Sequence, residues 1–139
     1  MENVQNYLYK HKDNIKGYIN FHSYSQLILY PWSYTCDKKV NSTDYVALEK
    51  VSAEFSTAVG DTHGKIYEYG QSCNTMYAAS GVSEDYAYGV CGITYSWVVE
   101  LRDTGEFGFL LPPEEIIPTG EEIFAGVATM AKYVDINML

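Results

Sequence analysis

Apolar residues recur at helical spacing in three stretches of this chain, and between those stretches they gather into four short runs of strand character. Val4, Tyr7, Leu8, His11 and Ile15 share one face, with Gly17 just beyond, and predict a helix over residues 3–15. Ser42-Thr43-Asp44 offers an N-cap and a first-turn acid; Leu48, Val51, Phe55 and Val59 then repeat as far as Gly60 and predict a second helix. Thr119 and Glu122 stand at capping-box spacing, and Ile123, Val127, Met130, Ala131 and Val134 continue a third. The strand segments are residues 18–22, 26–30, 65–69 and 94–101, the second closed by Pro31 and the last apolar enough to predict burial on both faces. Residues 71–83 are small, polar and glycine-punctuated, which predicts a long loop of the kind that carries function. With no repeat, low-complexity tract or linker, the pattern describes part of one compact α/β unit.

Glu100 breaks the pattern, because it lies inside the apolar run Val98-Val99-Glu100-Leu101. A buried carboxylate costs several kcal/mol unless it is paired or protonated. Two explanations are open: an ion pair with Arg102 or Lys132, or a carboxylate whose surroundings raise its basicity until it can take a proton from water. His22 ends a predicted strand, where ligand sites in α/β sheets collect, although a lone histidine is more commonly a satisfied core residue. Catalytic zinc needs three protein ligands, and the chain has no His-x-x-Glu, Glu-x-x-His or His-x-x-x-His; His11 and His63 have no ligand neighbours at useful spacing.

Composition narrows the partners. A net charge of -9 repels phosphate backbones and anionic lipid, so nucleic acid is not expected, and no apolar stretch approaches the ~20 residues that cross a membrane. No basic segment followed by an apolar one follows Met1, so no signal peptide is read, which by itself suggests the cytosol. Cys36, Cys73 and Cys91 form no Cys-x-x-Cys pair and read by default as buried free thiols.

Longer matches of residue order carry more. YINFHSYSQLILYPW at residues 18–32, MYAASG at 76–81, SEDYAY at 83–88 and ELRDTGEFGFLLP at 100–112 follow one another as in zinc metallocarboxypeptidases of the A/B type, and the chain resembles the C-terminal half of their catalytic domain over nearly its whole length. The resemblance implies an incomplete single domain over residues 1–139, a partial α/β/α sandwich with a mixed β-sheet, acting on the C-termini of peptides or proteins. It implies His22 as a zinc ligand, Glu100 as the base and acid acting on a zinc-bound water, and Tyr77 as a mobile tyrosine over the substrate's terminal residue. Ser23 and Tyr24 correspond to substrate-subsite residues, and the peptide bonds 23–24, 31–32 and 102–103 are expected to be cis.

Glu84 stands where members that favour C-terminal Lys or Arg carry an aspartate, with the small Ser72 at a second pocket position; the plainer reading is that Glu84 and Asp85 favour the start of a short helix. Val82 replaces a usual glycine and would narrow the pocket. Cys36 and Cys73 match a disulfide of some members, which implies an oxidising, extracellular setting and leaves Cys91 free. The family's His-x-x-Glu pair, its oxyanion arginine and the residues that bind the terminal carboxylate have no counterpart here. The expectation is therefore one zinc ion with two protein ligands supplied from elsewhere, an isolated chain with little or no activity, and an N-terminal half as a partner. The alternative is a non-catalytic relative that binds peptides or proteins.

Overall fold

The computed structural model describes residues 2–136, and within them the α-helices and strands follow in the order α1 (Glu2–His11), β1 (Gly17–Ser23), β2 (Leu27–Tyr30), α2 (Ser42–His63), β3 (Glu68–Gln71), α3 (Ser72–Thr75), α4 (Ser83–Gly89), β4 (Tyr95–Leu101) and α5 (Ile116–Ile136). The strands form one mixed sheet in the order β1-β4-β2-β3: β1 runs parallel to β4, β2 antiparallel to β4 and parallel to β3. This is the α/β class that the pattern predicts.

Successive strand residues point to opposite faces, and that alternation sorts the molecule into layers. Ile19, Ile28, Tyr30, Trp97 and Val99 point to one face, where α2 supplies Leu48, Val51, Phe55 and Val59 and α5 supplies Ile123 and Met130. The two helices approach closely, since a Cβ on Gly126 would lie 2.6 Å from the Phe55 ring. Trp97 buries its indole here and donates its N–H to Ser52 Oγ at 3.1 Å. On the other side Tyr18 packs with Leu8 and Ile15 from the α1 region and with Ala87, Cys91 and Ile93 from α4 and the turn after it. β4, second in the sheet and covered on both faces, is buried through its centre as its sequence predicts.

Several boundaries move for local reasons. α1 stops at His11, short of the predicted residue 15; Asp13 and Asn14 favour a turn, in which the Asn14 N–H bonds the His11 carbonyl at 2.9 Å. The cap of α2 is Asn41, one residue earlier than predicted, whose side chain accepts from the Asp44 N–H at 2.9 Å. That helix runs through Gly60 and ends at Gly64, whose positive φ of 71° closes it in the left-handed region. β3 starts at Glu68, where its ladder with β2 begins opposite Leu27, and Tyr67 just before it is buried in the core. The predicted loop 71–83 contains α3 and the start of α4.

The capping box at Thr119 and Glu122 does not form. α5 begins at Ile116, flowing out of a single turn over Pro113–Glu115, so Thr119 already lies in its first turn and Glu122 faces the interior. Pro118 is tolerated there because the first N–H groups of a helix have no intrahelical partner. The three peptide bonds expected to be cis, Ser23-Tyr24, Pro31-Trp32 and Arg102-Asp103, are all cis.

Candidate active site

One sheet face carries the candidate chemistry. In the register of β1 against β4, Asn20 stands opposite Val98 and His22 opposite Glu100, so residues 78 positions apart in sequence are neighbours on one surface. His22 Nδ1 lies 3.8 Å from Glu100 Oε1; the imidazole side chain is 61% exposed, the carboxylate 8%. The other carboxylate oxygen, Glu100 Oε2, is buried without a hydrogen-bond partner. Burial pushes the Glu100 carboxyl above its usual range, with the neighbouring imidazole pulling the other way.

The structural alternative for Glu100 is not what the fold builds. Arg102 turns instead to Glu122 and Glu115, donating from Nε to Glu122 Oε1 at 2.8 Å and from its terminal nitrogens to both carboxylates. Lys132 lies on the exposed side of α5. Glu100 is thus left with His22 as its ionisable neighbour.

A cleft of about 280 Å3 opens beside this pair. His22 and Glu100 lie along it, and Ser72, Tyr77, Val82 and Glu84 contribute to its walls. Tyr77 is 62% exposed, on a loop whose tip is open while its ends are fastened. The Cys73 N–H bonds the Trp32 carbonyl at 3.2 Å, the Ala79 N–H bonds the Ser33 carbonyl at 2.9 Å, and Cys36 is disulfide-bonded to Cys73. A closed loop of that separation, 37 residues, contributes about 4 kcal/mol in the chain-entropy picture. Cys91 is free and buried.

Glu84 is 1% exposed. Its Oε1 accepts from Ser33 Oγ at 2.6 Å, while Oε2 has no hydrogen-bond partner. Desolvation raises its pKa, opposed by the Ser33 hydrogen bond. Asp85 stands in the same first turn of α4, yet its carboxylate reaches out to the Ser33 and Tyr34 N–H groups at 2.9 to 3.1 Å. Both acids therefore serve contacts outside their helix as well as its first turn. Since the folded pKa of Glu84 lies above its ordinary 4.5, its folded-state stability is fully present below that value and declines as pH rises through the folded pKa. Denaturation of Glu84→Gln should show the variant gaining on the parent protein between about pH 4.5 and neutrality. A stability difference that stays flat over that interval would contradict a desolvated acid at this position.

Other expected site residues lie differently. Ser23, exposed at the end of β1, and Tyr24 are not among the cleft walls; Tyr24 packs edge-on against Phe109 at 5.0 Å and over Gly108. Asn20, absent from the sequence reading, lines the cleft and donates to Ser83 Oγ at 3.0 Å. The signal for it was alternation: it stands two positions before His22 on the same strand.

The donor set fits one coordination position of a zinc ion. His22 presents an accessible imidazole beside an unpartnered carboxylate oxygen, but among the described residues no group of three or more His, Cys, Asp or Glu could hold a metal. Among those residues no helix is long and apolar enough to cross a membrane.

Known proteins resemble the chain in sequence and in fold. Residues 1–126 match the family model described as zinc carboxypeptidase. Carboxypeptidase B of Astacus astacus is 48% identical over 134 residues, covering 96% of this chain and 43% of that protein. Carboxypeptidase A1 of Bos taurus is 42% identical over 129 residues, covering 93% and 30%. The structure of bovine thrombin-activatable fibrinolysis inhibitor in complex with tick carboxypeptidase inhibitor superposes with a TM-score of 0.91 at 39% identity, covering 98% of this chain and 45% of that one. The chain thus spans less than half the length of these relatives.

Proposed function

The chain belongs to the zinc carboxypeptidase family, and we propose that it forms the C-terminal portion of the catalytic domain of a secreted metallocarboxypeptidase that removes C-terminal residues, Lys or Arg by preference. The observation that carries the proposal is the His22–Glu100 pair at 3.8 Å on one sheet face, both residues lining a cleft.

In this reading His22 is one of three protein ligands to zinc, the others coming from outside these 139 residues. Zinc, when bound, supplies Lewis acidity towards the scissile carbonyl. The Glu100 carboxylate receives a proton from the attacking water and returns it to the departing amine; its raised pKa suits it to hold that proton in between. Tyr77, exposed at the loop tip, moves over the bound terminal residue and excludes water.

Glu84 sets the preference. Ser33 occupies one carboxylate oxygen and leaves the other free, and a Lys or Arg side chain entering the cleft would bring the missing donor. Such a pair forms in a desolvated place, where a cation discriminates strongly against an apolar residue. Ser72, small and buried, leaves room for the long side chain, while Val82 narrows the approach. The same enzyme would act outside the cell, in keeping with the Cys36–Cys73 disulfide.

In a full-length enzyme containing this segment, hippuryl-Arg should be hydrolysed with at least a tenfold higher kcat/KM than hippuryl-Phe, and Glu84→Gln should remove most of the difference. Preference for hippuryl-Phe would end the basic-residue assignment and leave the peptidase assignment standing.

A further inference from the structure

The tripeptide Asn41-Ser42-Thr43 has the acceptor pattern for N-linked glycosylation, and no other asparagine of the chain is followed two positions later by Ser or Thr. All three residues are exposed. They lie where the irregular segment leading from β2 meets α2, with Asn41 itself in extended backbone at φ -62° and ψ 158°. We propose that Asn41 carries an N-linked oligosaccharide, a proposal that rests on the extracellular reading above.

Capping accounts for Asn41 and its partner Asp44. Asn41 Oδ1 accepts from the Asp44 N–H at 2.9 Å, and its Nδ2 donates to Asp44 Oδ2 at 2.6 Å. Capping does not account for Thr43, whose side chain makes no hydrogen bond among the described residues and whose branched Cβ is no asset to an exposed helical position. The hydroxyl at this position is what the acceptor pattern requires.

The modification is compatible with the cap. The C1–O bond of a lipid-pyrophosphate-linked oligosaccharide breaks, a C1–Nδ2 bond forms at Asn41, Nδ2 gives up one proton and the lipid pyrophosphate departs. Nδ2 keeps its second proton for Asp44, and Oδ1 still caps the helix. None of the three residues lines the cleft, so the sugar would stand outside the site.

The test expresses the chain behind a cleavable secretory leader in animal cells and treats the product with peptide N-glycosidase. A fall in apparent mass, with Asn41 converted to Asp in the peptide map, supports the proposal. The fall should vanish in Thr43→Val and persist in Thr43→Ser. Ser42→Pro, which blocks the acceptor pattern yet suits the first helical position, should also abolish it and separates loss of the sugar from loss of the helix. Because the sugar is added to the nascent chain, the readout does not depend on the product being secreted. A product with its leader removed and its Cys36–Cys73 bond formed, but with Asn41 unmodified, overturns glycosylation and leaves the extracellular reading intact. Protein from its natural source with both thiols free and Asn41 bare overturns the extracellular reading itself.

Discussion

Glutamine at position 100 should lower the kcat/KM of a full-length enzyme carrying this segment by about a hundred- to ten-thousand-fold, with little change in KM. Glutamine keeps the shape of the side chain and the strand around it, but it can no longer take a proton. Since the buried Glu100 Oε2 has no hydrogen-bond partner to lose, the effect falls on the chemical step. Stability should move the opposite way. Burial raises the Glu100 pKa, so the folded form loses stability as pH climbs through that pKa, and the neutral amide escapes the loss. A variant that is inactive yet as stable as the parent protein or more so at neutral pH is the expected pair of results. Retention of more than a tenth of the activity would remove Glu100 from the reaction.

Arg102→Met is expected to have the largest effect on stability. Arg102 is 4% exposed and stands between Glu115 and Glu122, the latter 0% exposed and also accepting from Tyr67 OH at 3.0 Å. Cutting away the guanidinium strands a buried carboxylate without a counter-charge, which costs about 3–5 kcal/mol. For a domain whose whole stability is about 5–15 kcal/mol, that is a large share. Urea unfolding should show the midpoint falling without a change in slope. Arg102→Met combined with Glu122→Leu should recover much of the loss, because the pair is removed together. A single-variant loss below about 1 kcal/mol would show that the cluster is not a desolvated ion network.

These two residues also mark how far the sequence reading reached. It placed Glu100 in a buried strand from the apolar run around it, and the structure agrees. It offered Arg102 as a possible partner, along with Lys132; the fold instead sends Arg102, two positions further along the chain, to α5 and to the turn before it. Nearness in sequence cannot rank such partners, since the choice depends on which helix the sheet face meets. The misplaced capping box is the same failure from the other side. Thr119 and Glu122 have the right spacing, but Glu122 is drawn inward by Arg102 and Tyr67, and the helix starts earlier.

What the chain determined by itself is periodic and local: which stretches are helix or strand, which side chains share a face, and, through ordered motifs over most of its length, the family. Tertiary structure decided what depends on contact between distant segments. It paired His22 with Glu100 across β1 and β4, gave Glu84 the Ser33 hydroxyl, turned Tyr24 towards Phe109, and brought Asn20 into the cleft. The physical reason is that a repeat of 2 or 3.6 residues reports the direction of a side chain from its own backbone, whereas strand order and helix docking determine what it meets there.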